Sequence, residues 1–333
     1  MELRPLGTSG ISVSPVIFGA WAIGGWMWGG SDEKDAVEAI HASLDAGVNT
    51  IDTAAVYGMG HSERLVAKAL RGRRNDVIIA TKCGRSWDVT EGSMPVESTD
   101  PTGKKVTLRS NSRPENIFRE CEASLQRLET DVIDLYQIHW PDLTFPIEDA
   151  IGALVKLKEQ GKIRAIGVSN YDLEQMRRAS SVAEIASLQP PYSVLQRQIE
   201  ETTLPFCREQ NIGVICYSPL ERGLLTGAVG VDRHFAPGDH RATHRLFSAE
   251  NRRRVLAALE SIKPIADRHR ASFSQLIVAW TIAQPGITAA LVGARNADQA
   301  SHNAAAARLS LDPTEIQAIR AAFDSASEAA KLS

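Results

Sequence analysis

Cysteine is scarce in this 333-residue chain: Cys83, Cys121, Cys207 and Cys216 are its only thiols, and no two form a CxxC pair. That spacing supplies no disulfide framework, and reduced thiols fit a reducing compartment. Cys121 shares a helical face with Ile117, Leu125 and Leu128, so we expect it in the core. Long apolar runs are missing too; no window reaches the roughly 18 residues that a membrane-spanning helix needs. The opening MELRPLGTSG lacks the uninterrupted apolar core of a secretory signal. A net charge of −3 gives no general electrostatic attraction to nucleic acid or anionic lipid. No GxGxxG follows a strand-like run, which excludes a Rossmann dehydrogenase. Without a strong internal repeat or a dividing linker, we expect one soluble, cytoplasmic domain over residues 1–333, of unstated oligomeric state. Its partner is then a small molecule rather than nucleic acid or membrane.

What is present is alternation. Short apolar runs occur at Val16–Gly19, Asn49–Ile51, Val77–Thr81, Ile133–Ile138, Ile163–Val168, Ile185–Leu188, Gly213–Cys216 and Ala289–Val292. Each is followed by at least one segment with helical periodicity. Strand–helix alternation favours a parallel sheet with crossover helices, and eight units in a chain of this length fit a closed (β/α)8 barrel. A hairpin around the Gly7–Gly10 turn precedes the first unit, and extra helices follow strand seven and the last strand. Ser31 or Asp32 reads as the cap of the first helix and Ser62 as the cap of the second; Ser112 with Glu115 and Pro114 has the form of a capping box. Single helices are expected over Glu250–Arg268 and Thr314–Ala326. Two long segments, Cys83–Asn111 and Leu220–Ser248, read as irregular loops of the length that functional lids have.

The chemistry collects just past the strands, where a barrel gathers its site. Asp52 and Tyr57 follow strand two, Lys82 strand three and His139 strand four. Ser169 and Asn170 follow strand five, Gln189 strand six, Tyr217 and Ser218 strand seven, and Gly293 and Arg295 strand eight. Four ionisable groups of complementary type on three successive strand ends point to one catalytic group rather than to separate caps and surface residues. Lys82 beside Asp52 predicts a buried ion pair, and an ammonium beside a phenol favours phenolate, which lowers the Tyr57 pKa from about 10. Tyr57 then exchanges a proton as general acid or base. A neutral His139 donates a hydrogen bond to a substrate oxygen, and together the groups stabilise negative charge developing there. The quartet protonates a carbonyl oxygen; something else attacks the carbon.

The motifs IDTAAVYGMGHSE, IIATKCG, DLYQIHWPD, GVSN, the Gln of SLQPPYSVLQR, and CYSPLERGLLTG occur in that order. Together they resemble the aldo-keto reductase superfamily over essentially the whole chain, and WAIGGWMWGG is similar to its bacterial aldehyde-, glyceraldehyde- and sugar-reducing branch. The resemblance implies an NAD(P)H-dependent oxidoreductase in which the missing attacker is hydride, from NADPH with NADH possible. It implies Tyr57 as proton donor, tuned by Lys82, with Asp52 holding Lys82 and His139 positioning the oxygen. Cofactor contacts are implied for Gly19, Ala20, Trp21 and Asp52, for Ser169, Asn170 and Gln189 at the carboxamide, and for Tyr217 stacked on the ring. Ser218, Pro219, Leu220, Gly223 and Leu225 are implied at the pyrophosphate, and Gly293, Arg295, Gln299 and Asn303 near the adenosine. Trp21, Tyr57, His139 and Trp140 are implied on the substrate side.

The last motif departs from the family. Gly293 and Ala294 stand where many members carry a Lys-Ser pair, and Gln299 where they carry Arg; Arg295 is the cation left in the motif. We therefore expect NADPH to be preferred with reduced discrimination against NADH. The basic residues Arg241, Arg245, Arg252, Arg253 and Arg254 read as a solvated loop and helix start, with attraction of cofactor phosphates as the alternative. His240 and His244 have helical metal-ligand spacing but no accompanying Glu, so no metal is expected. Trp26 and Trp28 are divided between packing and pocket lining. Two other readings stay open: a nicotinamide-bound sensor or auxiliary subunit with little turnover, and a barrel lyase or isomerase that uses Tyr57 and Lys82 without nicotinamide.

Overall fold

Short runs of aliphatic and β-branched residues, buried along nearly their whole length, pair side by side and close on themselves. The computed structural model describes residues 1–25, 32–100, 102–235 and 239–331. Its barrel strands are β1 (Val16–Gly19), β2 (Thr50–Asp52), β3 (Ile78–Cys83) and β4 (Ile133–Ile138), then β5 (Ile163–Ser169), β6 (Ser187–Gln189), β7 (Gly213–Cys216) and β8 (Ala289–Gly293). Each pairs in parallel with its neighbours in chain order, and β8 closes on β1 with Gly293 beside Gly19. The register sets Asp52 opposite Ala80 and Lys82 opposite Gln137. These pairings bring three of the polar strand ends to one edge. Trp26, Trp28 and Ser31 lie outside the described residues. Asp32 caps the first helix, Glu33–Asp45, by accepting from the N–H groups of Lys34 and Asp35.

The opposite end of the barrel is stopped by the hairpin that pairs Arg4–Pro5 with Ser12–Val13. Leu6, Ile11 and Val13 pack under the barrel with Ile17, Leu135 and Ile215. Arg4 donates to the carbonyls of Ile282, Ile287 and Thr288. Inside the barrel Gly167 makes room: a Cβ there would sit 2.8 Å from Gln137 Cγ and 2.5 Å from Ser187 Oγ.

Several elements differ from the sequence expectations. Residues 83–111 are not an irregular loop but a three-stranded antiparallel ribbon of Arg85–Ser86, Ser93–Thr99 and Lys105–Ser110. Its far turn is built by Asp100, whose side chain accepts from the Thr102 and Lys104 N–H groups, with Gly103 at φ +86. Pro95, a register shift between Ser93 and Val96, and the exposure of Met94 to Glu97 hide the alternation that marks a strand. Ser62 does not cap its helix; Gly60, at φ +88, occupies the N-cap. The buried Ser62 hydroxyl instead donates to the Ala20 carbonyl and accepts from Thr53 Oγ1. The capping box at Ser112 does not form either. Arg113 is the N-cap of Pro114–Arg127, while the Ser112 N–H donates to Asp142. Pro264 lacks the N–H that would continue a helix, so the span from Glu250 splits into Ala249–Ser261 and Lys263–His269. The last expected helix likewise divides at the buried Phe323, into Pro313–Ala322 and Asp324–Lys331.

Candidate active site

β2 and β3 carry their terminal charges into protein rather than into water. Lys82 is 1% exposed and Asp52 2%. The Lys82 Nζ lies 2.6 Å from Asp52 Oδ1, 2.9 Å from the Thr53 carbonyl and 3.4 Å from Tyr57 Oη. The other Asp52 oxygen accepts from Gln189 Nε2 at 2.8 Å and from Gln137 Nε2 at 3.4 Å. Gln189, expected at a cofactor carboxamide, is thus also a support for Asp52. Gln137 was missed from the sequence because it sits inside the apolar run IDLYQI. Only the register opposite Lys82 reveals that it points inward.

Tyr57 is presented by the turn from Thr53 to Gly60. Gly58 sits at φ +63 there, and a Cβ on it would lie 2.2 Å from the Gly24 carbonyl. Only glycine lets this turn press against the loop after β1, and the close approach fixes the tyrosine. The Tyr57 ring meets His139 edge-on at 5.8 Å and Trp21 at 6.2 Å. The expected fall in the Tyr57 pKa does not occur. Burial pushes the phenol above its ordinary value; the nearby Lys82 pulls it down and Asp52 pushes it up, and burial wins. Burial also pulls on Lys82, but the Asp52 carboxylate and Tyr57 more than offset it, so the ammonium is held. His139 falls well below its usual range through burial first, then through the charges of Lys82 and Arg85. At neutral pH the group is therefore a phenol, an ammonium and a neutral imidazole.

Above this floor opens a cavity of about 980 Å³. On its wall, Ser169 donates to the Gln189 carbonyl, and Asn170, at φ +62, donates to the His139 carbonyl and to Ser169 Oγ. The Tyr217 hydroxyl donates to Asn170 Oδ1 at 2.8 Å. Beyond it the backbone is left-handed at Ser218, Glu221, Arg222 and Gly223, a curl of the kind that turns N–H groups toward an anion. A Cβ on Gly223 would meet nothing within 4 Å, so the cradle has room. Gly19, Trp21, Trp140, Pro219, Leu220, Gly293, Arg295, Gln299 and Asn303 line the cavity as well. Ala20 and Leu225 do not. Both are fully buried, Ala20 holding the Ser62 hydroxyl and Leu225 in the core behind the loop, so neither is placed to touch a ligand.

At the far end, Arg295 is joined by Arg222, Arg233 and Arg241, which places part of the basic segment on the cavity rather than in solvent. Asn303 donates to the Gly293 carbonyl, and Gln299 accepts from the Arg295 N–H. His244 Nδ1 accepts from the Leu246 N–H and closes a turn; the His240 side chain lies outside the described ones. Among the described residues no group of three or more His, Cys, Asp or Glu could hold a metal. A second omission of the sequence reading is Arg85, which enters the cavity from the root of the ribbon. A residue assigned to a loop gave no signal that it would be 9% exposed.

A buried ammonium behind a phenol and a neutral imidazole, on the mouth of an eight-stranded barrel with a long basic-ended cavity, defines an enzyme acting on carbonyls with a phosphate-bearing cofactor. Residues 15–324 match the model of the Aldo/keto reductase family, and the chain belongs to that family of oxidoreductases. It is 40% identical over 302 residues to aldo-keto reductase YhdN of Bacillus subtilis, covering 90% of this chain and 86% of the relative. It is 38% identical over 326 residues to the NADH-specific methylglyoxal reductase of Escherichia coli, covering 96% and 98%. Among solved structures, glycerol dehydrogenase AKR11B4 from Gluconobacter oxydans superposes with a TM-score of 0.86 at 40% identity, covering 96% of this chain and 94% of that one. The aldo-keto reductase from Klebsiella pneumoniae in complex with NADPH gives 0.71 at 26% identity, covering 96% and 94%.

Proposed function

We propose that this chain reduces small aldehydes, ketones or sugar-like hydroxy-carbonyls to alcohols, reversibly, with NADPH preferred and NADH accepted. The observation that carries the reading is the Lys82 ammonium between Asp52 and Tyr57, 2.6 Å from one and 3.4 Å from the other. The residues present suit a nicotinamide dinucleotide: Ser169, Asn170 and Gln189 for its carboxamide, Tyr217 for its ring, the Ser218–Gly223 curl for its pyrophosphate, and Arg295 for the adenosine end. When bound, that cofactor supplies a hydride to the carbonyl carbon.

The rest is the work of the chain. Tyr57, protonated at neutral pH, passes its proton to the carbonyl oxygen. Lys82 stabilises the phenolate left behind, and Asp52, itself held by Gln189 and Gln137, keeps Lys82 charged. Neutral His139 donates a hydrogen bond to the same oxygen and sets its direction. Relatives named for methylglyoxal and for glycerol both handle three-carbon oxygenated molecules, which makes short hydroxy-carbonyls the substrates to try first. Replacing Tyr57 with Phe should lower kcat by about 10³-fold or more while NADPH still quenches tryptophan fluorescence. Undiminished turnover in that variant refutes the proton-donor assignment.

A further inference from the structure

The wall of the cavity carries one charge whose only part in the reduction described above is a secondary one, helping to keep His139 neutral. Arg85 follows β3 at the root of the ribbon and lines the cavity together with His139, which feels its charge, and Trp140. Its Nη1 donates to the Met94 carbonyl at 2.8 Å and to Ser110 Oγ at 3.1 Å, both neutral acceptors. The Met94 carbonyl stands within an irregular register, at a residue held at φ +51. Among the described residues no carboxylate lies within ion-pair distance of Arg85, and its Nε and Nη2 make no hydrogen bond. The acids of the ribbon root and of the segments packed on it are committed elsewhere. Glu120 accepts from the Gly84 N–H and Ser86 Oγ, Asp142 from Ser93, Ser112 and Thr144, and Glu91 pairs with Arg113. Burial lowers the guanidinium pKa, and no acidic neighbour raises it. Met94, Val96, Leu108 and Trp140 make the surrounding wall apolar.

A buried cation without a counter-ion is costly, and the free Nε–Nη2 edge is the one that meets an oxyanion in bidentate fashion. We infer that Arg85 receives an anionic group, carboxylate or phosphate, carried by the carbonyl substrate, so that short anionic aldehydes are preferred over neutral ones. This rests on the reductase reading above and narrows it. The cofactor phosphates are not the occupant, because β3 and β4 lie across the barrel from β7 and β8, whose loops bring Arg222 and Arg295.

The test compares kcat/KM for glyceraldehyde, glyceraldehyde 3-phosphate and 4-oxobutanoate. One or both charged aldehydes should exceed the neutral one by about thirtyfold, and the two arms tell phosphate from carboxylate. Arg85→Gln should erase that ratio, chiefly through KM, and Arg85→Lys, which keeps the charge but loses the fork, should restore part of it. Equal values in the unmodified protein overturn the inference, as does a loss in Arg85→Gln shared by neutral and charged aldehydes alike. A calorimetric titration of the full chain without cofactor uses glycerol 3-phosphate and 4-hydroxybutanoate as probes. Binding should weaken about thirtyfold in Arg85→Gln. Weakening by Arg295→Ala but not by Arg85→Gln places the anion at the cofactor end and overturns it. This arm needs no turnover, so it decides the anion site even where the reductase reading fails.

Discussion

Lys82 and Arg85 stand three residues apart, both buried, one under the cavity floor and one in its wall, yet their surroundings are opposite. Around Lys82 every valence is answered inside the protein: a carboxylate at 2.6 Å, a carbonyl at 2.9 Å, and two glutamines bracing the carboxylate from behind. Around Arg85 two neutral oxygens hold one nitrogen, and the side chain lines the cavity. The floor is a completed arrangement that holds its charge in place. The wall is incomplete, and the anion inferred above is what would complete it.

The severest way to break this contrast is to unmake the floor. Lys82→Met leaves Asp52 buried and braced only by amides. It should lower kcat/KM by about 10³-fold and cost about 3–5 kcal/mol of stability; a denaturant titration that shows no loss would mean the pair is not the buried unit described here. A milder probe is pH. With Tyr57 held above and His139 well below their ordinary values, kcat/KM for reduction should stay flat from about pH 6 to 9, and a bell centred on the ordinary histidine range would contradict these protonation states.

The root of the wall offers a third probe. Burial raises Glu120 from 4.5 to about 7. The folded state therefore favours the protonated acid, a contribution complete below about pH 4.5 and lost as the pH climbs through about 7. It amounts to at most about 3 kcal/mol. Glu221, raised in the same way to about 7, adds a similar decline. Glu120→Gln should remove about half of the fall in thermal stability between pH 5 and 8; an unaltered slope would remove Glu120 from the account. The smallest effect is expected at the cofactor end, where Arg295→Ala should reduce the NADPH-to-NADH ratio of kcat/KM about fivefold, in keeping with one exposed cation. An unchanged ratio would leave the choice of cofactor to Arg222, Arg233 and Arg241.

The floor was legible in the sequence and the wall was not, for reasons of burial. Strands such as Ile133–Ile138 and Ile163–Ser169 declare themselves as apolar runs, and a polar residue terminating each one marks the barrel mouth. Asp52, Lys82 and His139 could therefore be gathered from spacing alone. The ribbon hides because its outer face is polar, Pro95 interrupts it and its register slips, so Arg85 passed for a loop residue. The direction of the Tyr57 shift was misread for a related reason. A neighbouring charge can be foreseen from strand order, whereas the desolvation that outweighs it depends on packing. Ser62 and Ser112 show the same limit locally: each had the sequence of a cap, and each hydroxyl ended up buried at another task or none.

The hairpin that plugs the lower end has a consequence for traffic through the molecule. With Leu6, Ile11 and Val13 corking the base, water reaching the phenol uses the same doorway as the carbonyl compound. The proton of Tyr57 can then exchange with solvent only from the cavity side, so a molecule that fills that side also shields the phenol from water.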